Sequence, residues 1–315
     1  MTASIPHVPA AGIWCPAVTL FNKDDGLDLP SQEKYYRYLA QTGLTGLVIL
    51  GTNAEAFLLT SRERKELISS ARHAVGPAFP LMAGCGAHST AQVLENIADA
   101  HAAGANYALV LPPAYFGKAS TPKVVQQFFV DVARQSPLPI VIYNFPGVCN
   151  GVDIDSEMIA ALGTQCPNIV GVKLTCGSVG KITRLSSVFA PAEFSTFGGQ
   201  SDFLIGGLSV GSAGCIAAFA NVFPKIVVRI YELYTKGDVK EALELHGKAA
   251  RAESCCKLGI AATKYAAALT SGKAAGIEGV VEKMVPRKPY DAPSAEVKKV
   301  VETSLKDLMD LELSL

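Results

Sequence analysis

The sequence predicts a (β/α)8 TIM barrel with a C-terminal helical extension, and three observations carry that prediction. Short apolar, β-branched runs recur eight times and start roughly 20 to 34 residues apart, the length of one βα unit. A stretch with helix-like spacing follows each run. Past residue 236 the strand signals stop while helical patterns continue. Near-continuous apolar strands alternating with helices argue for a parallel sheet covered by helices. Eight of them close naturally into a barrel, with an open doubly wound sheet as the competing arrangement.

The first run is GIWCPAVTL (12–20), and Pro30-Ser31 then opens a helix carrying Tyr35, Tyr38 and Leu39. GLVILG (46–51) is followed by a helix from Ser61, with Leu67, Ile68 and Ala71 on one face. After PLMAGCG (80–86), Ser89-Thr90 precedes Val93, Leu94 and Ile97. After YALVLPP (107–113), Thr121-Pro122 sets a proline at a helix start, where its missing N–H costs least. PIVIYNF (139–145), IVGVKLT (169–175), FSTFGG (194–199) and GCIAAF (214–219) complete the eight. Further on, 237–250, 258–269 and 295–313 read as helices, and Pro286 to Pro293 as an exposed connector. The chain therefore divides into a barrel catalytic domain over 8–235 and a helical extension over 236–315.

Composition narrows the function. Of the 315 residues 49% are apolar and 18% charged, which suits a large, well-covered core. Basic and acidic residues balance at 28 each, so no basic surplus is present to neutralise phosphates, and nucleic acid is not an expected partner. Runs such as Leu44 to Leu50 are too short to span a bilayer, so no membrane role is expected. MTASIPHVPAAGIW lacks a charged region followed by an apolar one, so no secretory signal is read there. The eight cysteines (15, 85, 149, 166, 176, 215, 255 and 256) form no CxxC pair and read as reduced thiols of a cytoplasmic protein. His7, His73, His88, His101 and His246 show no metal-ligand spacing, and no metal is expected.

One residue disturbs this picture. Lys173 sits in the middle of IVGVKLT, a run that reads as a buried strand. Lysine is seldom fully buried without a partner. Side chains alternate along a strand, so Val170, Val172 and Leu174 should face the helices, and Gly171, Lys173 and Thr175 the barrel interior. Lys173 also lies near the C-terminal end of its strand, where barrel enzymes keep their chemistry. Burial among apolar groups favours the neutral amine, which can attack a carbonyl and form a Schiff base. The plainer alternative is a lysine paired with a buried carboxylate.

Tyr143 lies 30 residues earlier, one βα unit away, in Tyr143-Asn144-Phe145-Pro146-Gly147. On neighbouring strands about 4.8 Å apart, phenol and amine would sit at matching depth, and the phenol could move protons for an amine adduct. The turn Gly51-Thr52-Asn53-Ala54-Glu55 follows the second strand and offers a hydroxyl and backbone N–H groups to a carboxylate. Competing motifs are weaker. GLSVG (207–211) matches a serine-hydrolase elbow, with Ser209, Asp238 and His246 in order, but its approach reads as a helix rather than a strand. GCGAHS (84–89) lacks the rest of a dinucleotide fingerprint.

At GTNAE, YNFPG, GVKLT and GSAGCIAAFANVFP (211–224) the chain resembles the N-acetylneuraminate lyase and dihydrodipicolinate synthase family of class I aldolases, over roughly residues 8 to 300. Within it the chain looks most like the fungal L-threo-3-deoxy-hexulosonate (2-keto-3-deoxy-L-galactonate) aldolases. The resemblance implies a homotetramer acting on a 2-oxo acid with no cofactor beyond the covalent imine. It makes Lys173 the Schiff-base nucleophile and Tyr143 the proton shuttle, with Thr52 and Asn53 on the pyruvyl carboxylate. Gly199, Phe116 and Val148 complete the implied substrate-binding set.

Two departures bear on the substrate. Val148 stands where dihydrodipicolinate synthases carry an arginine, and Tyr115-Phe116 where they carry a tyrosine pair. Without a cation at 148 an uncharged aldehyde half fits best, since a charged one would lose hydration uncompensated. The expected reaction is cleavage of 2-keto-3-deoxy-L-galactonate into pyruvate and glyceraldehyde. Cleavage of 4-hydroxy-2-oxoglutarate into pyruvate and glyoxylate is the alternative. A dehydratase of the superfamily and a non-catalytic 2-oxo acid binding protein stand behind it.

Overall fold

The computed structural model describes residues 7–315. Eight parallel strands close into a ring in chain order: β1 (Gly12–Pro16), β2 (Gly46–Ile49), β3 (Leu81–Gly84), β4 (Tyr107–Val110), β5 (Ile140–Asn144), β6 (Ile169–Leu174), β7 (Ser195–Gly198) and β8 (Gly214–Ile216). The TIM barrel expected from the sequence is therefore the fold. Each strand is shorter than the run that predicts it. The apolar tails, such as Ala17, Val18 and Leu20, are buried in the loops at the strand ends rather than paired in the sheet.

Between the strands lie α1 (Leu29–Ala40), α2 (Ser61–Val75), α3 (Thr90–Ala102), α4 (Pro122–Gln135), α5 (Ser156–Gln165), α6 (Val179–Ser186), α7 (Leu204–Leu208) and α8 (Pro224–Lys236). Their starts are chemically specified. Asp28, Ser89 and Thr121 accept a backbone N–H from the first turn of α1, α3 and α4. Thr60 and Glu63 form a reciprocal capping box on α2.

Side-chain alternation separates two apolar layers. Inside the ring pack Trp14, Val48, Met82, Tyr107, Val141 and Phe197. Outside it, Cys15, Leu47, Ile49, Val172 and Leu174 meet helix residues such as Tyr35, Leu39, Leu67 and Ile68. Val170 departs from the expected alternation and packs inside. The β5–β6 register slips there, with Ile140 opposite Ile169 but Val141 opposite Gly171, so one extra residue is accommodated in a bulge. From Gly171 onward the alternation runs as predicted.

The extension comprises α9 (Val239–Glu253), α10 (Ile260–Ala267), a π-helical turn (Ala268–Gly272), α11 (Val280–Lys283) and α12 (Ala295–Ser314). It packs back on the barrel. Glu312 on α12 accepts the Lys225 and Ile226 amides at the start of α8, at 3.0 and 2.9 Å, although burial pushes its carboxyl up to about 7. The expected connector over 286–293 is exposed only from Lys288 onward. Pro286 is buried and the Arg287 backbone N–H donates to Glu55, because this segment supplies polar partners to the barrel. Among the described residues all eight cysteines are free, six of them buried, and no helix is long and apolar enough to cross a membrane.

Candidate active site

The β5–β6 ladder sets Tyr143 directly opposite Lys173. Both are nearly hidden, at 3% and 2% exposure. The Lys173 Nζ lies 4.3 Å from the centre of the Tyr143 ring, a cation–π distance. Lys181, Lys264 and Lys283 each meet a carboxylate, whereas among the described residues none lies within ion-pair reach of Lys173. The plainer expectation, a structural ion pair, is therefore not what the fold builds at this position. Burial holds the nearby Cys15 and Cys215 thiols well above their ordinary range, against the opposing pull of Lys173, so neither is a competing nucleophile.

The phenol leads to the next group. Tyr143 OH and Thr52 Oγ1 share a hydrogen bond of 3.2 Å. Thr52 opens a 3-10 turn (Thr52–Ala54) that also carries Asn53, half-buried beside it. The turn is pinned from β1's loop, where the Thr19 hydroxyl donates to the Ala54 carbonyl at 2.8 Å. Amine, ring, phenol and threonine hydroxyl thus form one contiguous path across three strand ends.

Thr175 extends the site on the other side. Its hydroxyl is buried and has no hydrogen-bond partner among the described residues. Gly199 packs against it: its N–H donates to the Leu174 carbonyl at 3.0 Å, and a Cβ there would lie 2.1 Å from the Thr175 oxygen. Only glycine admits that approach. The sequence points Thr175 inward, but nothing in it shows that the hydroxyl is left unsatisfied.

Val148 lines a cavity of about 580 Å³ that it shares with Thr52, Leu258, Ile260, Tyr290 and Asp291. Among the described residues no lysine, arginine or histidine lines it. A narrower pocket between Thr52 and Tyr143 is walled by Arg64, a residue for which the sequence offers no functional signal. Its guanidinium is committed to the Gly84 and Ala56 carbonyls at 2.7 and 3.2 Å.

Phe116 is not brought to this group. It is three-quarters exposed in the loop after β4, stacks edge-on against Tyr115 at 5.3 Å, and lines a separate cavity with His88 and Val124. The hydrolase motif also dissolves. Ser209 follows the helix α7 and donates to the Gly206 carbonyl, while His246 is bonded to the Ser201 carbonyl. No cluster of three or more metal-ligating side chains occurs among the described residues.

Residues 9–308 match the model of the dihydrodipicolinate synthetase family. The chain belongs to that family. A provisionally named mitochondrial 4-hydroxy-2-oxoglutarate aldolase of Coccidioides immitis is 69% identical over 312 residues, covering 99% of both chains. An L-threo-3-deoxy-hexylosonate aldolase of Aspergillus niger is 35% identical, again over 99% of both. A crystal structure of a dihydrodipicolinate synthase family protein from Coccidioides immitis superposes with a TM-score of 0.95 at 66% identity, covering 99% of this chain and all of that one.

As a member of this family the protein is a carbon–carbon lyase, a class I aldolase of keto-deoxy acids that works through a lysine imine without an external cofactor. The cytoplasmic expectation is overturned by the relative at 69% identity, which carries a mitochondrial name. A search for an apolar secretory core is blind to organelle import, whose signals are amphipathic and arginine-rich.

Proposed function

We propose that Lys173 forms the imine and that the substrate is 4-hydroxy-2-oxoglutarate, cleaved to pyruvate and glyoxylate. The observation that supports the chemistry is the buried Lys173 amine, without a carboxylate partner, lying against Tyr143. The neutral amine attacks C2 of the 2-oxo acid, and loss of water gives an iminium. Tyr143 takes the C4 hydroxyl proton, the C3–C4 bond breaks, and its electron pair passes into the iminium as an enamine. Glyoxylate leaves. The enamine is reprotonated at C3, and water releases pyruvate and the free amine. Thr52 and Asn53 hold the pyruvyl carboxylate and so orient C2 over the amine.

The substrate assignment rests on the 69% identical relative. The Thr175 hydroxyl, two residues beyond Lys173 on the same face and without a hydrogen-bond partner among the described residues, suits it as a donor to the second carboxylate. The cavity beside Val148, lined by no lysine, arginine or histidine among the described residues, favours the second reading, cleavage of 2-keto-3-deoxy-L-galactonate to pyruvate and glyceraldehyde, which the Aspergillus niger relative supports at lower identity. Self-association into a tetramer belongs to the proposal too. Phe57, His88, Tyr115 and Phe116 form a run of rings in contact, three of them largely exposed, and light scattering reads the assembly directly.

Reduction with sodium borohydride in the presence of pyruvate should fix a pyruvyl mass on the Lys173 peptide. Pyruvate release from the two acids, measured side by side, should favour 4-hydroxy-2-oxoglutarate at least about tenfold in kcat/KM. The reverse preference would install the sugar acid. An adduct on another residue would remove Lys173 from the mechanism.

A further inference from the structure

The turn that carries Thr52 and Asn53 ends at Glu55, and Glu55 is unusual in two ways. Its backbone is left-handed, at φ 57° and ψ 38°, a region few non-glycine residues adopt. Its carboxylate is fully buried, and both oxygens are used by the C-terminal extension rather than by the barrel. Oε2 lies 2.6 Å from the Lys264 Nζ on α10, and Oε1 accepts the Arg287 N–H at 2.7 Å.

Lys264 is equally hidden. It spends a second proton on the Val285 carbonyl at 2.8 Å and lies 4.6 Å over the Phe21 ring. The Arg287 side chain ties the same segment to Glu63 at 2.8 Å and to Asp25 at 3.3 Å. Toward the barrel, the Glu55 N–H donates to the Thr52 carbonyl at 3.0 Å, and the Thr52 hydroxyl meets Tyr143. An unbroken path therefore runs from α10 through Glu55 and Thr52 to Tyr143 and Lys173.

We propose that Glu55 and Lys264 are positioning residues, through which the C-terminal extension holds the carboxylate-binding turn in register with Lys173. A buried ion pair is a poor source of net stability, because desolvation offsets most of the attraction, and apolar replacements of similar volume are often tolerated. What the pair supplies is direction. Two hydrogen bonds fix the Glu55 side chain, and with it a strained backbone that relaxes once the side chain is released. The inference rests on the proposed role of Thr52 and Asn53 in gripping the pyruvyl carboxylate.

The test uses the full chain with both charges removed at conserved volume, Glu55→Gln together with Lys264→Met. Borohydride trapping on Lys173 is followed against pyruvate concentration, with a thermal melt as the check on folding. The expected result is a folded protein whose half-saturating pyruvate concentration rises by about tenfold or more, while trapping at saturation stays complete. An unchanged pyruvate dependence overturns the proposal. So does a double variant that fails to fold, which would make the pair a stability element alone. Wild-type protein that traps no pyruvate on Lys173 would instead overturn the reading of the site on which this inference stands.

Discussion

Lys173, inside the barrel, and Lys264, where the extension meets the barrel, are both almost completely buried, at 2% and 0% exposure. Their surroundings differ. Lys264 has a carboxylate at 2.6 Å and a carbonyl at 2.8 Å; burial lowers its ammonium to about 8, and Glu55 pulls the other way. Lys173 has an aromatic face at 4.3 Å and, among the described residues, no carboxylate in ion-pair reach. The same residue type is thus buried once beside a carboxylate and once against an aromatic ring; in the proposed mechanism the first fixes geometry and the second supplies the nucleophile. Burial of a lysine carries no functional message until its partner is known.

The difference can be broken from either side. Lys173→Ala should abolish turnover and pyruvyl trapping, the largest effect expected, while leaving the melting temperature close to wild type, because no ion pair is lost. Pyruvate release and a thermal melt measure the two halves; retained turnover would sink the assignment. Lys264→Met should do the opposite to stability. It strands the Glu55 carboxylate in the interior and should cost about 3–5 kcal/mol in denaturant unfolding. A loss below about 1 kcal/mol would mean that water or the Arg287 amide already carries the charge.

A second buried carboxylate sharpens the comparison with a smaller effect. Glu312 is held by two amides, without a lysine or arginine side chain in ion-pair contact, and burial raises it from 4.5 to about 7. A carboxyl raised in the folded state binds its proton more tightly there. Its contribution is whole below pH 4.5 and is lost as pH climbs through about 7. Glu312→Gln should flatten the decline in unfolding free energy across that window. An unaltered slope would mean that the α8 amides compensate the charge as fully as a lysine would.

Much of this was legible beforehand, for reasons that are local. Lys173 and Tyr143 were paired from two regularities, the twofold alternation of a strand and the constant length of a βα unit. Both hold wherever the ladder is regular. They failed at Val170, because a bulge depends on two strands at once. The alternation points Thr175 inward, but its lack of a partner among the described residues is a property of the assembled neighbourhood. Phe116 was placed in the site through resemblance, and in the chain itself its loop carries the ring outward. Lys264 gave no signal at all: one lysine in an alanine-rich helix reads as a surface charge, and its partner is 209 positions away.

That separation has a consequence for how the enzyme matures. A ribosome delivers Glu55 early and Lys264 only after the last barrel strand, at about 5–20 residues per second. In the interval the nascent barrel can close and bring Lys173 to Tyr143, yet the Glu55 carboxylate still lacks its counter-charge. On the proposed role of Glu55 and Lys264, catalytic competence arrives late, with the docking of the extension rather than with closure of the ring. On that reading the growing chain carries the Lys173 amine for several seconds before the turn proposed to grip the acid is held in place.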